Sequence, residues 1–193
     1  MIERRIFAIG DTHAFHERII LPEYENRPFI DMHDMNAKLI QFWNETVTDD
    51  DIVIHLGDVG LGRADDLRWF VGQLKGIKIL IMGNHDRDRS SAFYVKAWFI
   101  FATKNSMRLR NCILSHEPYV DPEKINFHGH IHSARHRKFD LTANHVNLSA
   151  DVTNFRPVLL DRQYITVQDL VDGGVLHPSL YGTHLGIYGA IDF

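Results

Sequence analysis

Apolar residues in the first half of the chain form short blocks, and each block stops at a polar, hydrogen-bonding one. Ile6–Ile9 is an apolar run ended by Gly10-Asp11, which reads as a buried strand entering a loop. Residues 17–30 are irregular, with Pro22 and Pro28 as breakers. Asp31 followed by Asp34 has the form of a helix cap plus a first-turn acid, and Met35, Leu39, Phe42, Trp43 and Val47 keep near-helical spacing. That predicts an amphipathic helix over roughly 33–47. Asp51–Leu56 (DIVIHL) is a second strand, again closed by Gly-Asp. Leu67, Phe70, Val71 and Leu74 mark a short helix, ended by Gly76 before a third strand, Ile77–Met82.

Strand–helix–strand order argues for parallel pairing in an α/β layer. The second half shows short β runs near 98–102, 106–109, 112–115, 124–128, 145–149 and 157–161, with no strong helix until about 164–171. Those runs predict a mainly antiparallel or mixed second sheet. No repeat, linker or low-complexity segment interrupts the pattern, so one domain over 1–193 is expected. The Gly- and aromatic-rich stretch 173–193 receives no element.

Composition changes this picture little. A hydrophobic fraction of 45% and a charged fraction of 24% fit a soluble globular protein. Lys+Arg number 21 against 25 for Asp+Glu, a net charge of −4, so no global attraction to nucleic acid or anionic membrane is written in. A local basic run, Arg135-His136-Arg137-Lys138, reads as a solvated turn or a phosphate contact. The lone Cys112 sits in the apolar run CILS and is expected as a reduced, buried thiol. MIERRIFAIGD is no signal peptide, and no apolar stretch is long enough to span a bilayer; a cytoplasmic location follows by default.

The chemistry gathers after the strands. Asp11-Thr12-His13, Gly57-Asp58, Asn84-His85-Asp86, Ser115-His116-Glu117 and then His130 and His132 each follow their own β run. Residues at strand carboxyl ends of α/β sheets meet in one crevice. Asp, His and Asn converging there suit borderline divalent metals. The stretch NFHGHIHS places His128, His130 and His132 at alternate positions, on one side of an extended chain. The chain holds 13 histidines, so any one of them alone is weak evidence; five groups in strand order are not. His55, inside DIVIHL, reads as a core residue or one that orients a ligand.

In this order, D-x-H (Asp11, His13), G-D (Gly57, Asp58), G-N-H-D (Gly83 to Asp86), a lone His116 and G-H-x-H (Gly129 to His132) resemble the calcineurin-like metallophosphoesterase family. The resemblance runs from residue 11 to 132 and is closest to small bacterial and phage-type members. Those share Asn26-Arg27-Pro28-Phe29 and the phrase DVTNFRP, Asp151 to Pro157, in similar form. It implies an α/β fold, a four-layer sandwich of two mixed β-sheets flanked by helices. It also implies two divalent metal ions per chain, Mn²⁺ before Fe, Zn²⁺ or Ni²⁺. Asp11, His13 and His132 would hold the first, Asn84, His116 and His130 the second, and Asp58 would bridge both. A metal-bound hydroxide would attack phosphorus, and His85 would give a proton to the departing alkoxide. His128, before the glycine, is left as a packed or supporting residue.

Relatives with the longer motif G-D-x-x-D-R orient the proton-donating histidine with its second Asp and grip phosphate with its Arg. Leu61 and Gly62 stand there in this chain. Asp86 is then the catalytic candidate for orienting His85, with a loop cap as its rival role; His16, Arg27, Arg63 and Arg156 are the candidate phosphate contacts. The expected substrate is a small phosphodiester or phosphomonoester such as a nucleotide, with the diester favoured. The alternatives are a nuclease and a non-catalytic scaffold, as in the retromer subunit with this fold. A membrane partner is not expected, and oligomeric state is not encoded in the pattern.

Overall fold

The computed structural model describes residues 4–133 and 141–177. The apolar blocks become strands β1 (Ile6–Ile9), β2 (Ile52–His55) and β3 (Ile77–Ile81), joined by α1 (Met32–Thr46) and α2 (Ala64–Gln73). As in other parallel sheets, these strands are apolar on both faces because both faces are covered. Ile6, Ala8, Ile52, Ile54, Ile77 and Ile79 pack toward the second sheet, with Leu114, Phe127 and Leu148 in the same core. Phe7, Ile9, Val53 and Leu80 pack on the other face, against Met35, Leu39 and Trp43 of α1 and Phe70 and Val71 of α2. Asp31 caps α1 by accepting from the Asp34 N–H at 2.8 Å, as its sequence predicts.

Two features depart from the expected division. A six-residue helix, α3 (Ser91–Lys96), capped by Ser90, is too short to show a period and went unpredicted. It carries the chain across from β3, so β4 (Phe99–Thr103) enters the first sheet parallel to β3. The last run, β9 (Val158–Leu159), adds antiparallel to β1. The first sheet therefore has the order β4-β3-β2-β1-β9. Among the described residues the second contains β5 (Met107–Arg108), β6 (Cys112–Ser115), β7 (Ile125–His128) and β8 (His145–Asn147), in that order. It is mixed rather than mainly antiparallel: β5 opposes β6, while β6, β7 and β8 run parallel. A short α4 (Val167–Asp172) sets Leu170 in the shared core. Two mixed sheets with helices make the expected α/β sandwich. Cys112 is buried and free.

The two sheets meet at one end. Gly10 donates to Leu148 O at 2.8 Å and its carbonyl accepts from Ala150 N at 2.9 Å, so the exits of β1 and β8 run side by side. Asp11 N donates to Gly57 O, and Gly129 N to His116 O. These bonds bring the loops after β1, β2, β6, β7 and β8 into one cluster. Among the described residues no helix is long and apolar enough to cross a membrane. The basic run 135–138 lies outside the described residues, as does 178–193 of the unassigned C-terminal stretch.

Candidate metal centre

Five of the seven expected ligands have left-handed backbone: Asp11 (φ 56°), His13 (48°), Asp58 (56°), His130 (70°) and His132 (50°). Such a conformation costs a non-glycine residue roughly 1–2 kcal/mol, so the surroundings must impose it. They do so through a ladder between loops: His13 N donates to Asp58 O and Ala14 N to Val59 O, at 3.0 and 2.9 Å. Half of the ten non-glycine residues with left-handed backbone among the described residues are these ligands, and strain of this kind clusters at functional sites. Close approach explains two glycines. A Cβ on Gly129 would stand 2.5 Å from Asp11 Oδ2, and one on Gly83 would strike the backbone and carboxyl of Asp58.

The side chains converge as two groups. Ligand atoms of Asp11, His13 and His132 lie within 4.8 Å of one another, and so do those of Asp11, Asp58 and His116. Asp58 Oδ2 stands between them, 3.4 Å from His13 Nε2 and 3.5 Å from His116 Nε2. His116 Nδ1 must carry its proton, because it faces the Leu56 carbonyl at 2.8 Å; Nε2 is therefore a bare lone pair. That lone pair faces Asn84 Oδ1 at 2.9 Å and His130 Nδ1 at 3.0 Å. His130 Nδ1 is also 3.1 Å from Asn84 Oδ1.

These residues fit a cation. Asp11 Oδ1 and both ring nitrogens of His13 are buried with no hydrogen-bond partner, a costly state for polar atoms unless something else satisfies them. Burial, with the neighbouring charges of His132 and Arg27, pushes His13 well below the usual imidazole range, so it keeps the neutral form that ligates. Burial pushes the Asp58 carboxyl up to about 6. Glu25, His132 and Asp151 also come close enough to hold an ion. Their atoms are already engaged, however: His132 Nδ1 with Asp151 Oδ2 and Glu25 Oε2 with Ser133 Oγ, both at 2.7 Å.

Behind the ligands lies support that motif reading missed. Asp151 takes the His132 Nδ1–H, which turns Nε2 toward Asp11 Oδ1, 3.9 Å away. Arg27 grips Asp151 with two N–H groups at 2.8 and 2.9 Å and donates to the carbonyls of Thr12 and Asp11. Burial works to raise Asp151, but Arg27's charge and the hydrogen bonds outweigh it and hold the carboxyl below its usual range. Phe29 and Phe155 meet edge to face at 4.8 Å, so the two phrases NRPF and DVTNFRP are one packed unit. His55 accepts from Gly57 N at Nδ1, so Nε2–H donates to Thr12 Oγ, whose own proton goes to Val59 O. This buried relay fixes Thr12 between Asp11 and His13. His128 is buried, with Nδ1 on its own neighbour's carbonyl at 2.9 Å, a packed residue as expected.

The other candidates separate. Asp86 is fully buried and accepts from the N–H groups of Asp58, Gly83 and Val59 and from Tyr94 Oη. Among the described residues none of these bonds reaches His85, so Asp86 takes the loop-cap position rather than the orienting one. His85 is exposed, its backbone held by Asp58 Oδ1 at 2.9 Å and its ring 5.3 Å from that of His13. Its ring shares a cavity of about 440 Å³ with His13, His16 and His132. Of the four phosphate candidates only His16 lies there. Arg27 is 3% exposed and spent on Asp151 and backbone carbonyls, so it has no donor to offer substrate. Arg63 caps α2 and pairs with Asp66, while Arg156 lies against α1 on Glu45 and the Phe42 carbonyl.

Residues 4–173 match the profile of the family described as calcineurin-like phosphoesterase. The chain is 35% identical over 171 residues to an uncharacterized protein of Methanocaldococcus jannaschii, covering 83% of this chain and 90% of that one. The gene 66 protein of Mycobacterium phage D29 is 29% identical over 162 residues, covering 66% of this chain and 78% of the phage protein. A protein of unknown function from Aquifex aeolicus has a crystal structure that superposes with a TM-score of 0.59 at 21% identity, over 81% of this chain and 95% of that one. This last likeness is one of fold.

Proposed function

The chain belongs to the calcineurin-like phosphoesterase family, and from that premise we propose that it is a dinuclear metal-dependent phosphodiesterase with Mn²⁺ as its first-choice ion. The observation that carries this reading is the buried, partnerless state of Asp11 Oδ1 and both His13 nitrogens, beside a second set of acceptors on Asn84, His116 and His130. Asp11, His13 and His132 would hold one ion and Asn84, His116 and His130 the other, and Asp58, whose Oδ2 lies 3.4 Å from His13 Nε2 and 3.5 Å from His116 Nε2, would serve both. Such ions supply Lewis acidity toward a phosphoryl oxygen and make water a stronger nucleophile near neutral pH.

The chain's own groups do the remainder. Arg27, Asp151 and Thr12 fix the first loop and the tautomer of His132. His85, exposed at the cavity, gives its proton to the oxygen that leaves as the P–O bond breaks. Asp86 holds the loop that carries His85. His16, which lines the cavity beside His85, is the phosphate contact. The products are a phosphomonoester and an alcohol. All seven expected ligand residues stand in the sequence, which supports an enzyme over a scaffold without catalysis. A cytoplasmic location, as the sequence suggests, completes the reading.

The test is turnover of bis-p-nitrophenyl phosphate by protein purified without chelator, with and without added Mn²⁺. Mn²⁺-stimulated release of nitrophenolate is expected. Protein that carries no metal and gives no turnover would overturn the proposal.

A further inference from the structure

The cavity over the ligands has a lining of two kinds: the imidazoles of His13, His16, His85 and His132, and the apolar groups of Tyr24, Leu61 and Ile131. Tyr24 and Leu61 are two of the larger apolar side chains left exposed, at 36% and 40%, and both face this one space. Tyr24 is held as a fixed platform, with the Arg18 guanidinium 5.9 Å from its ring centre and the His16 ring 6.2 Å away, nearly perpendicular. Glu25, which accepts the Ser133 hydroxyl, pins the same loop to the end of G-H-x-H.

Size and charge narrow what can sit there. A cavity of about 440 Å³ holds a phosphoryl group and one ring-sized arm, within the range of small-molecule sites. Glu23 and Glu25 line it together with Arg18. A second phosphate beyond the scissile one would meet those carboxylates, so a polyanionic strand is disfavoured while an uncharged arm is not. A flat ring against a tyrosine gains stacking energy whatever its hydrogen-bonding pattern.

We infer that Tyr24 and Leu61 form a specificity subsite for a flat, uncharged aromatic arm of the size of a nucleobase, the arm that stays on phosphorus. The subsite selects a one-phosphate nucleoside-type diester over a nucleic-acid strand. This rests on the phosphodiesterase reading above and sharpens its substrate class.

Two diesters with the same leaving group test it: p-nitrophenyl phenyl phosphate and p-nitrophenyl methyl phosphate. The wild-type chain should favour the phenyl ester in kcat/KM by about tenfold or more, a ratio in line with one aromatic stacking contact. Tyr24→Ala and Leu61→Ala should each collapse that ratio toward one, chiefly through KM, while Tyr24→Phe keeps it. Thymidine 5′-(p-nitrophenyl phosphate) should outpace a single-stranded oligonucleotide that carries the same 5′-(p-nitrophenyl phosphate) group, at equal concentration of that ester. Equal wild-type turnover of the phenyl and methyl esters would overturn the subsite and leave the phosphodiesterase standing. Faster cleavage of the oligonucleotide would do the same. No turnover of any ester would overturn the reading beneath it as well.

Discussion

His132 points its Nδ1 at Asp151, 2.7 Å away, and by doing so presents its Nε2 to Asp11, 3.9 Å away. The carboxylate that sets this orientation is itself clamped by Arg27, a residue 124 positions earlier in the chain. Support of this kind tunes a metal ligand without touching the metal.

Asp151→Asn should therefore weaken one ion and spare the other. The amide still accepts from His132 but loses its charge and its two-pronged fit to Arg27. About 10–100-fold weaker binding at the Asp11–His13–His132 set is expected, read by titration against a competing chelator. Equal weakening at both ions would contradict the separate role of Asp151. The companion change Arg27→Met leaves a buried carboxylate unpaired and should cost roughly 3–5 kcal/mol of stability, seen as a large fall in melting temperature.

His85→Ala should leave both ions bound, because its ring belongs to none of the groups of converging ligand atoms. Its rate loss should reach about 10²–10⁴-fold on esters with poorly leaving alkoxides and be far smaller on nitrophenyl esters, whose leaving group needs no proton. Loss of an ion on this substitution would show that His85 is a ligand and not an acid.

Metal affinity should fall with acid. Burial raises Asp58 to about 6, so below that pH a proton occupies the oxygen that the ions need. Burial pulls His132 down, but the Asp151 hydrogen bond and the charges of Asp11 and Asp151 leave it raised, which adds to the loss in the same direction. His13 is lowered and contributes nothing there. Mn²⁺ affinity measured from pH 5 to 8 should fall as the pH is lowered, by at least about tenfold per pH unit well below 6. A flat profile through pH 5 would contradict the shared role of Asp58.

Tyr94→Phe removes one of the four donors to Asp86 and leaves three backbone N–H groups in place. The expected cost is about 1 kcal/mol, a fall of roughly 2–4 °C in melting temperature for a domain of this size. The pH profile of turnover should not move. A shifted profile would mean that the Tyr94–Asp86 pair acts on His85 after all.

What could be read from the sequence was local. Ile6–Ile9 and DIVIHL declare themselves as continuous apolar runs because both faces are covered, and the α1 stripe of Met35, Leu39 and Trp43 by its period of 3.6. The ligands could be read because each follows a strand. Sheet membership could not: β4 and β9 look like β5 and β6, and only the crossover through α3, too short to show a period, sends β4 to the first sheet. Arg27, Arg63 and Arg156 are equal in sequence as phosphate candidates, yet one is buried, one caps a helix and one lies on Glu45. Direction of a side chain is set by tertiary packing. Asp151 stood in a quoted phrase, but its function depends on two residues, His132 and Arg27, that only folding brings to it.

The central claim is that two divalent ions share Asp58. Metal analysis of the wild-type chain and of Asp58→Asn after equilibration with Mn²⁺ and desalting tests it most directly. The account predicts close to two ions per chain in the wild type and loss of both together in the variant, since the bridge loses its charge. One ion per wild-type chain, or a variant that keeps one ion at full affinity, would contradict it.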